Sequence, residues 1–214
     1  MPELPLLVLG AGGHGRVLAS ALLLTDRRII GFLDASRAAW GSHCLDLPVI
    51  GDDGCLADFP PESVCLVNGI GSVGLPLLRQ RIFETQRARG YRFERVVHPR
   101  ACVSPHASLG EGVQVMAGAV VQAGARLGDN VIVNTGAIVD HDCVIGAHCH
   151  VAPGAVLSGG VTVGSSSHIG TGAVMVQGIE LGEGCMVGAG AVVIRSHAAA
   201  SRLVGVPARR IETQ

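Results

Sequence analysis

The chain has 214 residues, of which 48% are hydrophobic and 3% aromatic, and its formal net charge is −1. This length allows one large domain or two small ones, and the near-neutral charge argues against a protein-wide nucleic-acid surface. All sixteen basic residues are Arg, which excludes a P-loop lysine, a pyridoxal phosphate Schiff base and a lysine nucleophile.

No apolar run reaches the ~18 residues that a membrane span needs, and the start of the chain lacks the basic region of a secretion signal. The seven cysteines are odd in number and unclustered, which favours a reducing compartment over a disulfide framework. We therefore expect a cytoplasmic protein that is not bound to a membrane.

The first 97 residues alternate between short apolar runs and helical patterns. Strands are predicted over 4–9, 29–33, 64–67 and 91–97, and helices over 15–24 and 76–89. This order is typical of a small parallel sheet covered by helices. We predict an α/β N-terminal domain, a short Rossmann-like sheet, over residues 1–97.

A glycine-rich segment follows the first predicted strand and opens the first helix. Residues 10–15 read Gly-Ala-Gly-Gly-His-Gly, and Asp34 ends the next strand. Backbone N–H groups at a helix start attract phosphate, so the pattern suits a nucleotide-sugar, a nicotinamide dinucleotide or a tight turn without ligand. The domain is only about half a complete dinucleotide-binding sheet, which favours the nucleotide-sugar.

From Val103 to Val187 every sixth residue is aliphatic, through fifteen six-residue units without a shift of phase. The residue at the fifth place of each unit is small or β-branched. Six is not a helical period; it indicates a solenoid of short strands and tight turns, with three units in each 18-residue coil. We predict such an all-β domain over residues 98–214, with the first and fifth places pointing inward.

The unit that starts at Val139 carries the strongest chemical pattern. His141 lies in a turn, outside the aliphatic row, and Asp142 follows it. A carboxylate holds a histidine in one tautomer and raises its basicity, which suits a general base; the alternative is a solvated turn histidine. Gly159 stacks one coil above, roughly 4.8 Å away, where its N–H suits an oxyanion donor.

A zinc site is the competing interpretation of the same region, because His141, Cys143, His148, Cys149 and His150 cluster in sequence. The repeat argues against it, since Cys143 and Cys149 occupy the inward fifth place and cannot meet outward histidines. We therefore predict no metal site and, because those thiols are buried, no catalytic cysteine.

The repeat resembles the hexapeptide-repeat acyltransferases, and its combination with the glycine loop resembles the PglD/NeuD/PerB group of sugar acyltransferases over nearly the whole chain. The resemblance implies a left-handed parallel β-helix and a homotrimer with active sites between subunits. It also implies direct transfer of acetyl from acetyl-CoA to the C4 amino group of a nucleotide-linked 4-amino-4,6-dideoxysugar. GDP-perosamine and UDP-linked bacillosamine precursors are the leading acceptors, with a product used in O-antigen or glycoprotein glycan synthesis.

Matching positions give the implied roles. His141 is the general base and Asp142 orients it. His150, expected in a later turn, contacts acetyl-CoA unless it is a solvated surface histidine, and Thr171 and Ala189 lie along the coenzyme. The nucleotide-sugar positions are Gly12, Gly13, His14, Asp34, Gly71 and Ser72. Two rival functions stay open: O-acetylation of a sialic acid type sugar, and a solenoid binding module without catalysis.

Overall fold

The computed structural model describes residues 3–211. The N-terminal sheet has the strand order β3-β4-β2-β1-β5, parallel throughout except for the β3/β4 hairpin. Its elements are β1 (Leu6–Leu9), α1 (Gly13–Leu22), β2 (Ile29–Leu33), β3 (His43–Cys44), β4 (Leu47–Gly51), β5 (Cys65–Asn68) and α2 (Leu77–Ala88), with 3-10 helices at Arg37–Ala39 and Asp53–Asp58. The predicted short parallel sheet is confirmed.

Two features of this part differ from the sequence prediction. The strand predicted over 91–97 is wrong for most of its length, because only β6 (Val96–Val97) is a strand, and it pairs with the solenoid. The β3/β4 hairpin was not predicted, because its turn uses Leu45 and Asp46 at φ 52° and 62°, where Asn-Gly or Asp-Gly is the usual signal.

The rest of the chain winds into a left-handed parallel β-helix, as predicted. Each coil adds one two-residue strand to each of three sheets, and strands 18 residues apart pair in parallel. Each strand joins the sixth place of one unit to the first place of the next. Most turns place glycine at the fourth place with positive φ, since this left-handed conformation strains other residues.

The three sheets take names from what lies on their outer faces. The covered sheet lies against the N-terminal domain and contains β6, β9 (Gln114–Val115), β12 (Ile132–Val133), β15 (His150–Val151), β18 (His168–Ile169), β21 (Met186–Val187), β23 (Arg202–Val204) and β24 (Arg209–Arg210). The aliphatic sheet contains β7 (Cys102–Val103), β10 (Val120–Val121), β13 (Ile138–Val139), β16 (Val156–Leu157), β19 (Val174–Met175) and β22 (Val192–Val193). The mixed sheet contains β8 (Ser108–Leu109), β11 (Arg126–Leu127), β14 (Val144–Ile145), β17 (Thr162–Val163) and β20 (Glu180–Leu181).

The core of the β-helix is built from the inward first and fifth places, as the period predicts. Aliphatic first-place side chains and small fifth-place side chains form one buried cluster that includes Cys143, Cys149 and Cys185. On the outside of the covered sheet, sixth-place Gln114 and Ile132 are also fully buried, because the N-terminal domain packs on them. No helix among residues 3–211 has the length and apolarity to cross a membrane.

Candidate active site

His141 and Asp142 form an exposed pair in the turn between the aliphatic and mixed sheets. His141 Nδ1 lies 2.9 Å from Asp142 Oδ2, with the side chains 55% and 73% exposed. The hydrogen bond to Asp142, followed by the charge of Asp140, raises the pKa of His141. Since Nδ1 donates its proton to the carboxylate, Nε2 keeps a lone pair and can accept a proton from a substrate that approaches from the solvent side.

Two glycines leave room for this pair. A Cβ on Gly159 would overlap the imidazole ring of His141, and a Cβ on Gly124, one coil below Asp142, would overlap its carboxylate. Asp142 itself adopts φ 58°, a conformation that Asp tolerates better than most residues. Gly159 therefore lies against the ring, and within residues 3–211 its N–H donates to no backbone carbonyl, as is usual for the third place of these turns.

The glycines in the glycine loop and in the neighbouring loop after β5 are of two kinds. A Cβ on Gly15 would overlap the carbonyl oxygen of Gly10, and one on Gly69 would lie 2.7 Å from the same atom, so close packing requires both glycines. Gly12 and Gly13, at the start of α1, would meet no atom within 4 Å. The fold therefore does not explain these two glycines, whereas the close approach of a ligand to the backbone would.

The other predicted nucleotide residues support this loop. Asp34 accepts hydrogen bonds from the backbone N–H of Ala11 at 2.7 Å and of Ser36 at 2.8 Å. His14 donates from Nε2 to Gln114 Oε1 of the solenoid at 2.8 Å. Burial, the largest cause, and the charge of Arg79 lower the pKa of His14 to about 4, so its ring is neutral at physiological pH and ties the loop to the covered sheet.

His150 does not lie where the sequence predicted. It belongs to β15 rather than to a turn, and it is only 6% exposed. The amide of Asn134 donates to Nε2 at 3.0 Å, so Nδ1 carries the proton and donates to the carbonyl of Ser72 at 3.1 Å. Burial is the main cause that lowers its pKa to about 3. The prediction of a turn is wrong because each strand of the β-helix begins at the sixth place of a unit, and the N-terminal domain then covers this strand.

A cavity of about 400 Å³ opens between the two domains. It brings together His14, Gly71 and Ser72, which were predicted to bind the nucleotide-sugar, and His150 and Thr171, which were predicted to bind acetyl-CoA. Ala189 is exposed one coil above Thr171, at the corner between the covered and aliphatic sheets. His141 occupies the other corner of the aliphatic sheet, so one chain does not bring the imidazole to this cavity.

Sequence reasoning missed a buried polar network that joins the two domains. Asn68 donates to the carbonyl of Arg79 and to Asn130 Oδ1, while Gln114 donates to the carbonyl of Asn68. The signal was available in part, because Gln114 and Asn130 are polar residues among apolar repeats. Within residues 3–211 no group of three His, Cys, Asp or Glu side chains is arranged to hold a metal ion.

Two family models match the chain: the PglD N-terminal domain over residues 5–85, and six repeats of the bacterial transferase hexapeptide over residues 106–141 and 124–159. The chain is also 38% identical to PerB from Caulobacter crescentus, solved with CoA and GDP-perosamine, with 97% of both chains covered and a TM-score of 0.89. The chain belongs to the PglD-type hexapeptide-repeat sugar acetyltransferases.

Two other solved structures of this family are similar over nearly their full length. The acetyltransferase domain of PglB from Neisseria gonorrhoeae, in complex with acetyl coenzyme A, is 40% identical over 98% of this chain and 100% of its own, with a TM-score of 0.88. A histidine-to-alanine variant of GDP-perosamine N-acetyltransferase from Caulobacter crescentus, in complex with CoA and GDP-perosamine, is 37% identical over 98% of this chain and 97% of its own, with a TM-score of 0.90. A comparison with curated proteins finds no match.

Proposed function

We propose that this PglD-type acetyltransferase transfers acetyl from acetyl-CoA to the C4 amino group of a nucleotide-linked 4-amino-4,6-dideoxysugar. The observation that carries the proposal is the exposed His141–Asp142 pair, whose Nε2 is free to take a proton. The similar structures support the two substrates, because PerB is solved with CoA and GDP-perosamine and the PglB domain with acetyl coenzyme A.

Each of these residues has a separate role in the proposed reaction. The sugar amine attacks the thioester carbonyl, a new C–N bond forms, and the carbonyl oxygen takes the negative charge. His141 Nε2 accepts the proton that the nitrogen loses, and Asp142 holds the resulting imidazolium. The N–H of Gly159 donates to the oxyanion. When the intermediate collapses, the C–S bond breaks and coenzyme A leaves with the proton, so no acyl-enzyme forms.

We place the nucleotide-sugar on the N-terminal domain. The open backbone at Gly12 and Gly13 and the first turn of α1 suit its diphosphate. Gly71, Ser72 and the neutral ring of His14 then line the path into the interdomain cavity. Asp34 acts from behind the loop, since its carboxylate already accepts the N–H of Ala11.

We propose a homotrimer, and the outer face of the aliphatic sheet supports it. Its sixth-place side chains form a column of half-buried β-branched residues at Val120, Ile138, Val156, Val174 and Val192. A continuous apolar face of this kind is typical of a surface that another protein chain covers. If three copies turn this face toward a common axis, the His141 corner of one copy meets the Thr171 and Ala189 corner of the next, which completes the site with acetyl-CoA between subunits.

The test is a panel of nucleotide-linked sugars incubated with acetyl-CoA, with free thiol release as the measurement. We expect turnover with GDP-perosamine or a UDP-linked 4-amino sugar and none with the corresponding 4-hydroxy sugars. Turnover with free sialic acid, and with no nucleotide-linked amino sugar, would refute N-acetylation and favour O-acetylation. If calorimetry shows that the protein does not bind coenzyme A, the proposed enzyme activity is refuted and a binding module without catalysis is favoured. We place the reaction in cytoplasmic synthesis of O-antigen or a related glycan.

A further inference from the structure

Arg79 is a buried cation without an acidic partner. It lies on α2 and is 1% exposed. Its Nη1 donates to the carbonyl oxygens of Asn68 at 2.7 Å and Ile70 at 2.8 Å, and its Nε has no hydrogen-bond partner within residues 3–211. No carboxylate of the described residues makes an ion pair with it. An unpaired buried charge is costly, so a fold that retains one has a use for it.

The guanidinium of Arg79 meets backbone carbonyls instead of a carboxylate, because its Nη2 also donates to the carbonyl oxygen of Asn130 at 3.5 Å. These carbonyl dipoles offset the charge only in part, since none of them carries a full negative charge. Burial lowers the pKa of Arg79 to about 9, which still leaves the guanidinium charged at neutral pH.

Burial, the largest cause, lowers the pKa of His14, His148 and His150, and the charge of Arg79 contributes in the same direction to each. His14 and His150 line the cavity and are neutral at physiological pH, with pKa values of about 4 and about 3. The positive charge next to the loop that carries Ile70 is therefore that of the Arg79 guanidinium.

Arg79 also fixes the direction of a loop N–H group. A trans peptide unit is planar and its C=O and N–H point in opposite directions. Since the carbonyl of Ile70 points to Arg79, the N–H of Gly71 points away from it. Gly71 lines the cavity, and a Cβ placed on it would lie 3.2 Å from the Cβ of His14 in the first turn of α1.

We propose that Arg79 is a positioning residue for the diphosphate of the nucleotide-sugar. It holds the backbone from Asn68 to Gly71 so that the Gly71 N–H and the first turn of α1 face one anion, whose charge then offsets the buried guanidinium. This inference rests on the proposed function. It assigns to the site a specificity for acceptors that carry a diphosphate. None of the nucleotide-sugar residues predicted from the sequence carries a full positive charge that could provide this specificity.

The experiment compares Arg79→Met and Arg79→Lys with Arg81→Met. Arg81 is the matched control, because it is exposed on the same helix and makes no ion pair or side-chain hydrogen bond among the described residues. We expect Arg79→Met to raise KM for the nucleotide-sugar at least about tenfold, because the Gly71 N–H then loses its fixed direction and with it a charge-assisted hydrogen bond to the diphosphate. Its kcat and its KM for acetyl-CoA should stay within about twofold of wild type, as should all constants of Arg81→Met.

Arg79→Lys keeps the charge and loses the two-pronged hydrogen bonding, so its KM for the nucleotide-sugar should lie between those of wild type and Arg79→Met. This variant also decides the matter if Arg79→Met does not fold, because an unchanged KM in Arg79→Lys would refute the proposal. Equal changes of both KM values in either variant would show a purely structural role. If the wild type transfers no acetyl group, the proposed function fails first, which separates the two failures.

Discussion

At the residue scale, the chemistry depends on which nitrogen of His141 keeps its lone pair. The hydrogen bond from Nδ1 to Asp142 leaves Nε2 as the base and raises the pKa of the ring. Since the base works only when deprotonated, kcat/KM should rise with pH through this raised pKa. Replacing Asp142→Asn removes the largest cause of the shift. The rising limb of the pH–rate profile should therefore move to lower pH, with a lower plateau.

Asn is the suitable replacement because it also tolerates the positive φ of this position. The control is His141→Ala, which should lower kcat by ~10²–10⁴ when a general base is lost and should abolish the rising limb. If Asp142→Asn leaves the limb in place, Asp142 does not set the pKa of His141. Unchanged turnover in His141→Ala would remove the base from the mechanism altogether.

Gly159 gives a second prediction at this scale. A methyl group there would overlap the ring of His141, and the exposed ring is free to move away. Gly159→Ala should therefore fold normally while kcat falls by ~10²-fold, the effect of a displacement of about 1 Å in a catalytic group. The control is Gln177→Ala, one coil above in the same row, which should leave kcat unchanged. A fully active Gly159→Ala would show that the ring position is not critical.

At the scale of elements, the two kinds of loop glycine can be separated by experiment. Gly13→Ala adds a methyl group that meets no atom of the fold, so stability should stay within about 1 kcal/mol of wild type. KM for the nucleotide-sugar should rise by about tenfold, as expected for a methyl group that does not fit a binding site. Thermal unfolding and steady-state kinetics measure the two effects.

Gly15→Ala is the contrasting variant, because its methyl group would overlap the Gly10 carbonyl oxygen. It should destabilise the N-terminal domain by roughly 1–3 kcal/mol or more through overpacking. A Gly13→Ala variant with wild-type KM would show that the start of α1 does not contact the ligand.

Local patterns were enough to predict most elements of both domains. The six-residue period predicted which residues of the solenoid point inward. Neighbouring residues of a strand point to opposite faces, so the first place of a unit points inward where the preceding sixth place points outward. The β3/β4 hairpin could not be found in this way, since Leu45 and Asp46 adopt positive φ without the usual turn residues.

The site was predicted less completely, because part of it depends on packing between domains. The His141–Asp142 contact joins neighbours in the chain and could be predicted from spacing alone. His150 was expected in a turn, but it lies on β15, where the N-terminal domain buries it against Ser72, 78 residues away. Arg79 looks like any helical arginine in the sequence, and only the fold shows that it is buried without an acid.

At the scale of the whole molecule, the proposed trimer makes activity depend on the aliphatic sheet. Val156 lies near the middle of its half-buried outer column. A carboxylate there would have to be buried unpaired against neighbouring copies, which is costly, whereas in a single chain it would point to solvent. Val156→Asp should therefore fold but sediment as a monomer. Its turnover should fall at least ~10²-fold, because His141 is then separated from the substrates bound at the next corner.

Thr162→Asp is the matched control, since Thr162 is also a half-buried sixth-place residue, on the mixed sheet. This variant should keep both the trimer and the activity, because we expect that face to stay outside the interface. Sedimentation and thiol release measured on the same samples distinguish the outcomes. A trimeric Val156→Asp would show that subunits meet through another face, and a fully active monomer would show that one chain brings His141 to both substrates by itself.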